Sequence, residues 1–222
     1  MQNKQQELEQ SYSKNNQILN LAKRIQALSE NGQHYAESDY DLDRYTELEN
    51  ISLEIISLLT KHEIEPIRLS ITEKIGYRTP KVDVRAVIFN LQNEILMVRE
   101  EIDGNWSLPG GWADVGFTPA EIAVKETKEE AGMAVSPNRL LAIFDKKCHN
   151  HPPDIYYAYK IFIECYPLDN NLETGYETSE AGFFKEDDLP TLSTPRNTVE
   201  QVKMMFEFKN EKIRWPHIDL NC

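Results

Sequence analysis

Apolar residues in the N-terminal third recur at spacings of three and four, as in Ile18, Leu21, Ile25 and Leu28. That period predicts a helix with one apolar stripe, and Asn31-Gly32 marks its expected stop. Residues 1–17 are polar and rich in Gln and Asn. With too few apolar anchors to order themselves, they read as a disordered lead-in. A second helix is expected from Ser38 or Asp39, with Leu42, Tyr45, Leu48, Ile55 and Leu59 near one face and Ile51, Ile56 and Leu58 widening it. The two form an antiparallel hairpin over 18–66 whose apolar surface exceeds what one partner helix covers. It must pack on the rest of the chain or on another subunit, and a homodimer through these helices is the expectation.

Past Pro66 the period changes, so 67–80 reads as a linker. KVDVRAVIFN, EILMVREE, RLLAIFDKK, DIYYAYKIFIECY and AGFF are alternating or continuously apolar and read as strands. A last helix is expected to open at Thr194-Pro195, with Val199, Val202, Met205 and Phe206 on its apolar face, and 211–222 reads as a tail. Strands interspersed with helices predict an α/β sandwich over 81–210.

The chemistry concentrates in GGWADVGFTPAEIAVKETKEEAGM, from Gly110 to Met133. A glycine-rich turn leads into a helix with Thr118 as N-cap, Pro119 at its first position and Gly132 as its stop. Glu126, Glu129 and Glu130 stand at i, i+3 and i+4, so their carboxylates share one flank. A charge run of this kind is ordinarily a solvated face. Here the opposite face is a stripe of small residues, Ala120, Ala123, Val124, Thr127 and Ala131, which lets the helix approach a sheet closely. Crowded carboxylates bordering such a contact suit a hard divalent cation that bridges to substrate phosphates.

These residues resemble the Nudix box, G-x5-E-x7-R-E-U-x-E-E-x-G-U, from Gly111 to Met133. Glu126, Glu129, Glu130 and Gly132 agree with it. Phe117 stands at the first glutamate position, Lys125 replaces the arginine and Thr127 the aliphatic residue. The resemblance implies a Nudix-type α/β/α sandwich with a mixed sheet, preceded here by the helical hairpin. It also implies Mg²⁺, with Mn²⁺ as a substitute, held by Glu126, Glu129, Glu130 and the Gly110 carbonyl, and hydrolysis of a phosphoanhydride. Glu126, Glu129 and Lys125 would then be catalytic. The base would be a box glutamate or a carboxylate of NLETGYETSEAG, where Glu173, Glu177 and Glu180 are candidates and Glu177 is preferred by position. From about Ile18 to Phe208 the chain is similar to a bacterial Nudix group described as CDP-choline pyrophosphatases, whose members are often labelled ADP-ribose pyrophosphatases and dimerise through N-terminal helices. The expected reaction is CDP-choline to CMP and phosphocholine, with ADP-ribose as the alternative substrate. A nucleotide-sensing module without turnover is the alternative from another class, suggested by Phe117 and Lys125.

For substrate contacts the sequence offers Arg85 on the first strand, Arg99 and Lys146 or Lys147 at strand ends, and Trp106, Trp112, Tyr156, Tyr157 and Tyr159 for stacking. His149 and His151 follow Cys148 in a CxHxH run, but Pro152 and Pro153 mark a loop and no further ligands complete a zinc set, so phosphate contact suits them better. The balance of 24 Lys plus Arg against 37 Asp plus Glu gives a net charge of −13. This argues against nucleic acid and anionic membrane as partners and leaves a small nucleotide. No apolar run approaches the ~20 residues of a membrane span, and the N-terminus shows no apolar signal core. Cys148, Cys165 and Cys222 have neither close pairing nor zinc spacing and read as free thiols of a cytoplasmic protein.

Overall fold

Residues 2–71 and 79–222 are described by the computed structural model. The chain forms two units, Met1–Pro80 with Pro153–Tyr157, and Lys81–Pro152 with Ala158–Cys222.

The first unit holds α1 (Gln2–Tyr35), α2 (Asp39–Thr60) and α3 (Ile64–Ile71). Helix α1 begins well ahead of Ile18, because the Gln, Glu and Lys residues of the expected lead-in are good helix formers that need no apolar stripe. It also runs through Asn31-Gly32. Gly32 serves close approach instead, since a Cβ there would collide with the Tyr45 ring of α2. Ser38 caps α2 by accepting the Asp41 N–H at 3.1 Å. The core of this unit is Leu19, Ala22, Leu53, Ile56 and Ile67, with Ile155 and Tyr156 packed against it. The stripe read from the sequence lies elsewhere: Ile18, Leu21 and Leu28 are 45%, 53% and 66% exposed. Leu48, Ile51 and Leu58 of α2 are exposed as well. Of the expected linker, α3 reaches Ile71, and 72–78 lie outside the described residues.

The second unit contains β1 (Lys81–Ile88), β2 (Ile95–Glu100), β3 (Trp106–Ser107), β4 (Gly110–Trp112), α4 (Pro119–Ala131), β5 (Val135–Asp145), β6 (Ala158–Pro167), β7 (Thr178–Phe184), α5 (Val199–Lys209) and β8 (His217–Ile218). One sheet runs β4-β1-β6-β5-β8 and a second β3-β2-β7. The first is mixed, with β1 parallel to β6 and β5 to β8, and the remaining pairs antiparallel. Alternation along β1 sends Val84, Ala86 and Ile88 into a cluster with Ile122, Ala123 and Ala131 of α4. Val87 and the following Phe89 enter another with Val202, Met205 and Phe206 of α5. The sheet is thus covered by a helix on each face, the expected sandwich.

Several boundaries differ from the sequence reading. Strand β6 starts at Ala158, so Asp154–Tyr157 precede it, and Tyr157 belongs to the segment 153–157 of the helical unit. Helix α5 starts at Val199, because Thr198 and Gln201 form a capping box that fixes its first turn. Residues 211–222 are not a loose tail: β8 adds to the edge of β5, and this return brings Cys222 to Cys148, Cα to Cα 4.9 Å, where the two form a disulfide. The free-thiol expectation therefore holds only for buried Cys165, whose pKa burial pushes up to about 12. Among the described residues no helix is long and apolar enough to cross a membrane.

Candidate functional site

The box helix α4 is fixed locally at both ends. Thr118 Oγ1 accepts the Glu121 N–H at 3.2 Å while Glu121 Oε2 accepts the Thr118 N–H at 2.8 Å, a reciprocal cap. Gly132 ends the helix with φ +68°, a conformation that suits glycine. Ile122, Ala123, Thr127 and Ala131 form the buried face, with Ile122 in place of the expected Ala120. Thr127 fits the aliphatic position because its hydroxyl donates to the Ala123 carbonyl at 2.7 Å and presents no unpaired polar group to the core.

Three carboxylates border this face, Glu130 buried within it, and they turn toward different partners. The Gly110 N–H donates to Glu130 Oε2 at 2.9 Å. The Glu126 carboxylate lies against Gly111, 3.4 Å from where a Cβ would stand. Glu129 is exposed and pairs with Lys125 at 3.2 Å. Lys125 also reaches Glu126 at 3.2 Å and Asp114 at 3.4 Å. Its hydrogen bonds to Glu126 and Glu129 hold its pKa above the usual lysine range. Burial raises the pKa of Glu126, against the pull of Lys125. Burial pushes Glu130 up to about 8, although Arg85 and the Gly110 N–H draw it down; Glu100 and Glu126 add to the rise.

Behind the turn lies a charged set of which the sequence reading named only Arg85, as a substrate contact. Arg85, 3% exposed, donates from Nε and Nη2 to the two Asp83 oxygens, each at 2.8 Å, and from Nη1 to the Leu108 carbonyl at 3.0 Å. Lys160 braces Asp83 at 2.9 Å. Burial alone would raise Asp83, yet Arg85 and Lys160 hold it far below the carboxylate range. Burial lowers Lys160 to about 8 despite Asp83. On β2, buried Glu100 accepts from Ser107 Oγ at 2.6 Å and from Arg196 Nε at 2.7 Å. The signal available was Asp83 and Arg85 at i, i+2 in an otherwise apolar strand, which puts both on one face.

The remaining candidates are scattered. Arg99 donates to the Gly104 carbonyl and Glu180, at 2.8 and 2.7 Å, so the arginine and the alternative base hold each other. Trp106 packs edge-on against Phe184 at the rim of the core rather than standing free to stack. Glu177 is exposed, one residue before Thr178, whose hydroxyl donates to the Glu130 carbonyl at 2.6 Å. Gly175 lies so close to α4 that a Cβ would collide with the Glu129 carbonyl, so this loop is seated on the C-terminal end of the box helix. The Glu173 N–H donates to the Ala131 carbonyl. His149 meets Asp219 at 3.1 Å, and His151 Nδ1–H donates to the Thr194 carbonyl at 2.7 Å.

Among the described residues no three His, Cys, Asp or Glu side chains are arranged as a metal cage. Lys125 stands between Glu126 and Glu129, and Glu130 is turned to the Gly110 N–H. The donor chemistry nonetheless fits a hard divalent cation: the Glu126 and Glu130 carboxylates, half-buried and buried, flank a glycine turn and offer the oxygen ligands such an ion takes.

The NUDIX domain profile matches residues 79–207, and a profile described as "UDP-X-like, N-terminal oligomerisation domain" matches 16–70. The Bacillus subtilis protein YjhB, whose name gives ADP-ribose pyrophosphatase as its provisional activity, is 47% identical over 86% of this chain and 91% of its own. A Streptococcus suis structure titled as an ADP-ribose pyrophosphatase is 42% identical, with TM-score 0.57 over 64% of this chain and all of that one. A structure titled as a UDP-X diphosphatase is 28% identical, with TM-score 0.60 over 92% of this chain and 99% of its own. Nudix hydrolases generally work with divalent metal ions, and by box, fold and sequence this chain belongs to the Nudix hydrolase family.

Proposed function

We propose that the enzyme adds water across the phosphoanhydride of a nucleoside diphosphate joined to a second moiety, releasing a nucleoside monophosphate and the phosphorylated second moiety. The observation that carries this reading is the convergence of Glu126 and Glu130 on the Gly110–Gly111 turn. Glu126, Glu129, Glu130 and the Gly110 carbonyl would hold Mg²⁺, or Mn²⁺ in its place. The bound cation supplies charge neutralisation at the diphosphate and Lewis-acid activation of water. Lys125 keeps Glu126 and Glu129 from repelling each other. Glu177, on the loop seated against α4, takes the proton of the attacking water. Arg99, Trp106 and Tyr157 are left with weaker claims as substrate contacts, since the first two are engaged within the fold and the third lies off the strand.

Two substrates have support. ADP-ribose is the activity in the names of YjhB and the Streptococcus suis structure. CDP-choline, a pyrimidine nucleotide, is favoured by likeness to a UDP-X diphosphatase along nearly the whole chain. The α1–α2 hairpin joins two copies into a homodimer. Its support is the oligomerisation profile over 16–70 together with the exposed Ile18, Leu21, Leu28, Leu48, Ile51 and Leu58.

The test is chromatographic product analysis with CDP-choline, ADP-ribose, diadenosine polyphosphates and nucleoside triphosphates, with Mg²⁺ or Mn²⁺, for the wild type, Glu126→Gln and Glu129→Gln. Turnover of one of the first two is expected, falling at least about 100-fold in Glu126→Gln, the upper end of what loss of a ligand's supporting partner costs. Tight binding of one nucleotide without turnover would replace this reading with that of a sensing module.

A further inference from the structure

Arg85 is the one arginine of the candidate substrate contacts that is almost fully buried, and all three of its donor positions are engaged within the protein. A guanidinium so placed does not reach out to a diphosphate. Its two ends are fixed instead: Asp83, itself braced by Lys160, grips one, and the Leu108 carbonyl takes the other. Leu108 leads directly into the Pro109-Gly110-Gly111 turn. That turn is pressed onto β1, where Gly110 faces Arg85 in antiparallel register and the Ala86 N–H donates to the Pro109 carbonyl at 2.8 Å. Only glycine fits at 110, since a Cβ would meet the Val84 carbonyl and come within 2.9 Å of the Arg85 Cα. The N–H of the same Gly110 holds Glu130. One fork therefore connects the strand to the turn, and the turn to the carboxylate.

Resting on the hydrolase reading above, we propose that Arg85 is the positioning residue that fixes the Gly110–Gly111 turn and Glu130 for the cation, while Lys125, at the arginine position of the box, holds Glu126 and Glu129. Lysine is a point charge on a flexible stem, whereas a planar guanidinium sets two directions at once. Lys125 binds Glu126 and Glu129 on the outer side of the site, and its ammonium pairs with Asp114 as well. The inner carboxylate, Glu130, is reached from the strand. The work done by one arginine in the consensus box is thus divided between two cations on different elements.

The test uses the full-length protein with Mn²⁺ as probe, comparing wild type, Arg85→Lys, Lys125→Arg, the double variant and Glu126→Gln. Three quantities are read: Mn²⁺ affinity by calorimetry without nucleotide, exchange of the Gly110 amide by NMR, and the melting temperature in chelator. Arg85→Lys keeps the charge but loses the fork. It is expected to weaken Mn²⁺ about 10-fold or more and to speed Gly110 exchange, and Lys125→Arg is expected to recover most of the Mn²⁺ affinity in that background. A purely structural Arg85 would lower the metal-free melting temperature with no recovery by Lys125→Arg, and that result overturns the proposal. So does an Arg85→Lys protein with unchanged Mn²⁺ affinity. If Arg85→Lys does not fold, Asp83→Asn, which leaves Arg85 in place but releases its grip, is read by the same three quantities and the same criteria. Loss of Mn²⁺ binding in Glu126→Gln but not in the Arg85 variant overturns this inference alone; unchanged binding in Glu126→Gln overturns the hydrolase reading with it.

Discussion

In the α/β unit Val84, Ala86, Ile88, Leu96 and Val98 are fully buried, and the charges that enter its interior do so in braced sets such as Asp83 with Arg85 and Lys160. The α1–α2 hairpin is arranged the other way. Gln26 and Ser52 are fully buried and Glu30 and Glu49 nearly so, while Leu21, Leu28 and Leu58 stand more than half exposed. On α1 the outward residues Ile18, Leu21 and Leu28, with half-buried Ile25 between, keep spacings of three, four and three; on α2 the exposed Leu48, Ile51 and Leu58 do the same with half-buried Ile55, which also packs on the inner core, between them. That is the repeat of a helix–helix seam. The α/β unit keeps its apolar clusters inside, whereas the hairpin turns an apolar seam outward, the feature on which its proposed homodimer rests.

The largest expected effect comes from breaking that cover. Leu48→Asp places a charge in the seam, and a two-fold interface feels each substitution twice. Removing two buried leucine contacts costs about 3–6 kcal/mol, or roughly 10²- to 10⁴-fold in the dimer dissociation constant. With the proposed homodimer on this face, sedimentation equilibrium should show the wild type as dimer and Leu48→Asp as monomer at the same concentration, while the α/β unit keeps its near-UV circular dichroism. A variant that stays dimeric would move the interface off this face and leave the inverted hairpin without a partner.

A smaller effect tests the buried charges of the α/β unit. His151 is 4% exposed, and burial lowers its pKa to about 3, with Lys160, Lys146 and His149 adding to the fall and the Thr194 carbonyl opposing it. Between pH 6.5 and 3 the unfolded chain therefore binds a proton that the folded one does not. Stability rises with pH across that window, is complete above 6.5, and is lost as the pH falls. At pH 5 the histidine accounts for about 2 kcal/mol of the loss. His151→Asn, whose amide can still donate to the Thr194 carbonyl, should shrink the difference between urea midpoints at pH 7.5 and pH 5 accordingly. An unchanged difference would show that the imidazole takes up its proton in the folded state.

How much of this was legible in the sequence depends on whether the determining contact is local. The caps of α4 at Thr118 and Gly132, and the shared flank of Glu126, Glu129 and Glu130, follow from spacings within one helix. The hairpin was readable from its periodicity, but a stripe does not say what faces it, so the inward positions Leu19, Ala22, Leu53 and Ile56 were missed. Arg85 reads in the sequence as a substrate contact because what engages it is not local: the Leu108 carbonyl comes from β3's exit, and Lys160, which braces its partner Asp83, comes from β6. The pairing of Cys148 with Cys222 likewise depends on β8 returning to β5, which two residues of strand do not announce. Phe117, 50% exposed at the first glutamate position of the box, has no structural account.

The smallest effect tests whether the polar interior of the hairpin is specified or merely tolerated. Ser52 is fully exposed to neither water nor a distant partner: it is 0% accessible, and its hydroxyl donates to the Glu49 carbonyl of its own helix at 2.7 Å. That carbonyl is already an acceptor in the helical ladder, so removing the hydroxyl strands no donor or acceptor. Ser52→Ala should therefore raise stability by about 0.5 kcal/mol through helix propensity, with the dimer dissociation constant unchanged. Urea unfolding at a fixed concentration, with the oligomeric state checked alongside, reads the effect. A loss of stability instead would mean that the hydroxyl is held from across the hairpin, so that the polar interior is a designed network and the outward seam is only half of what distinguishes the two units.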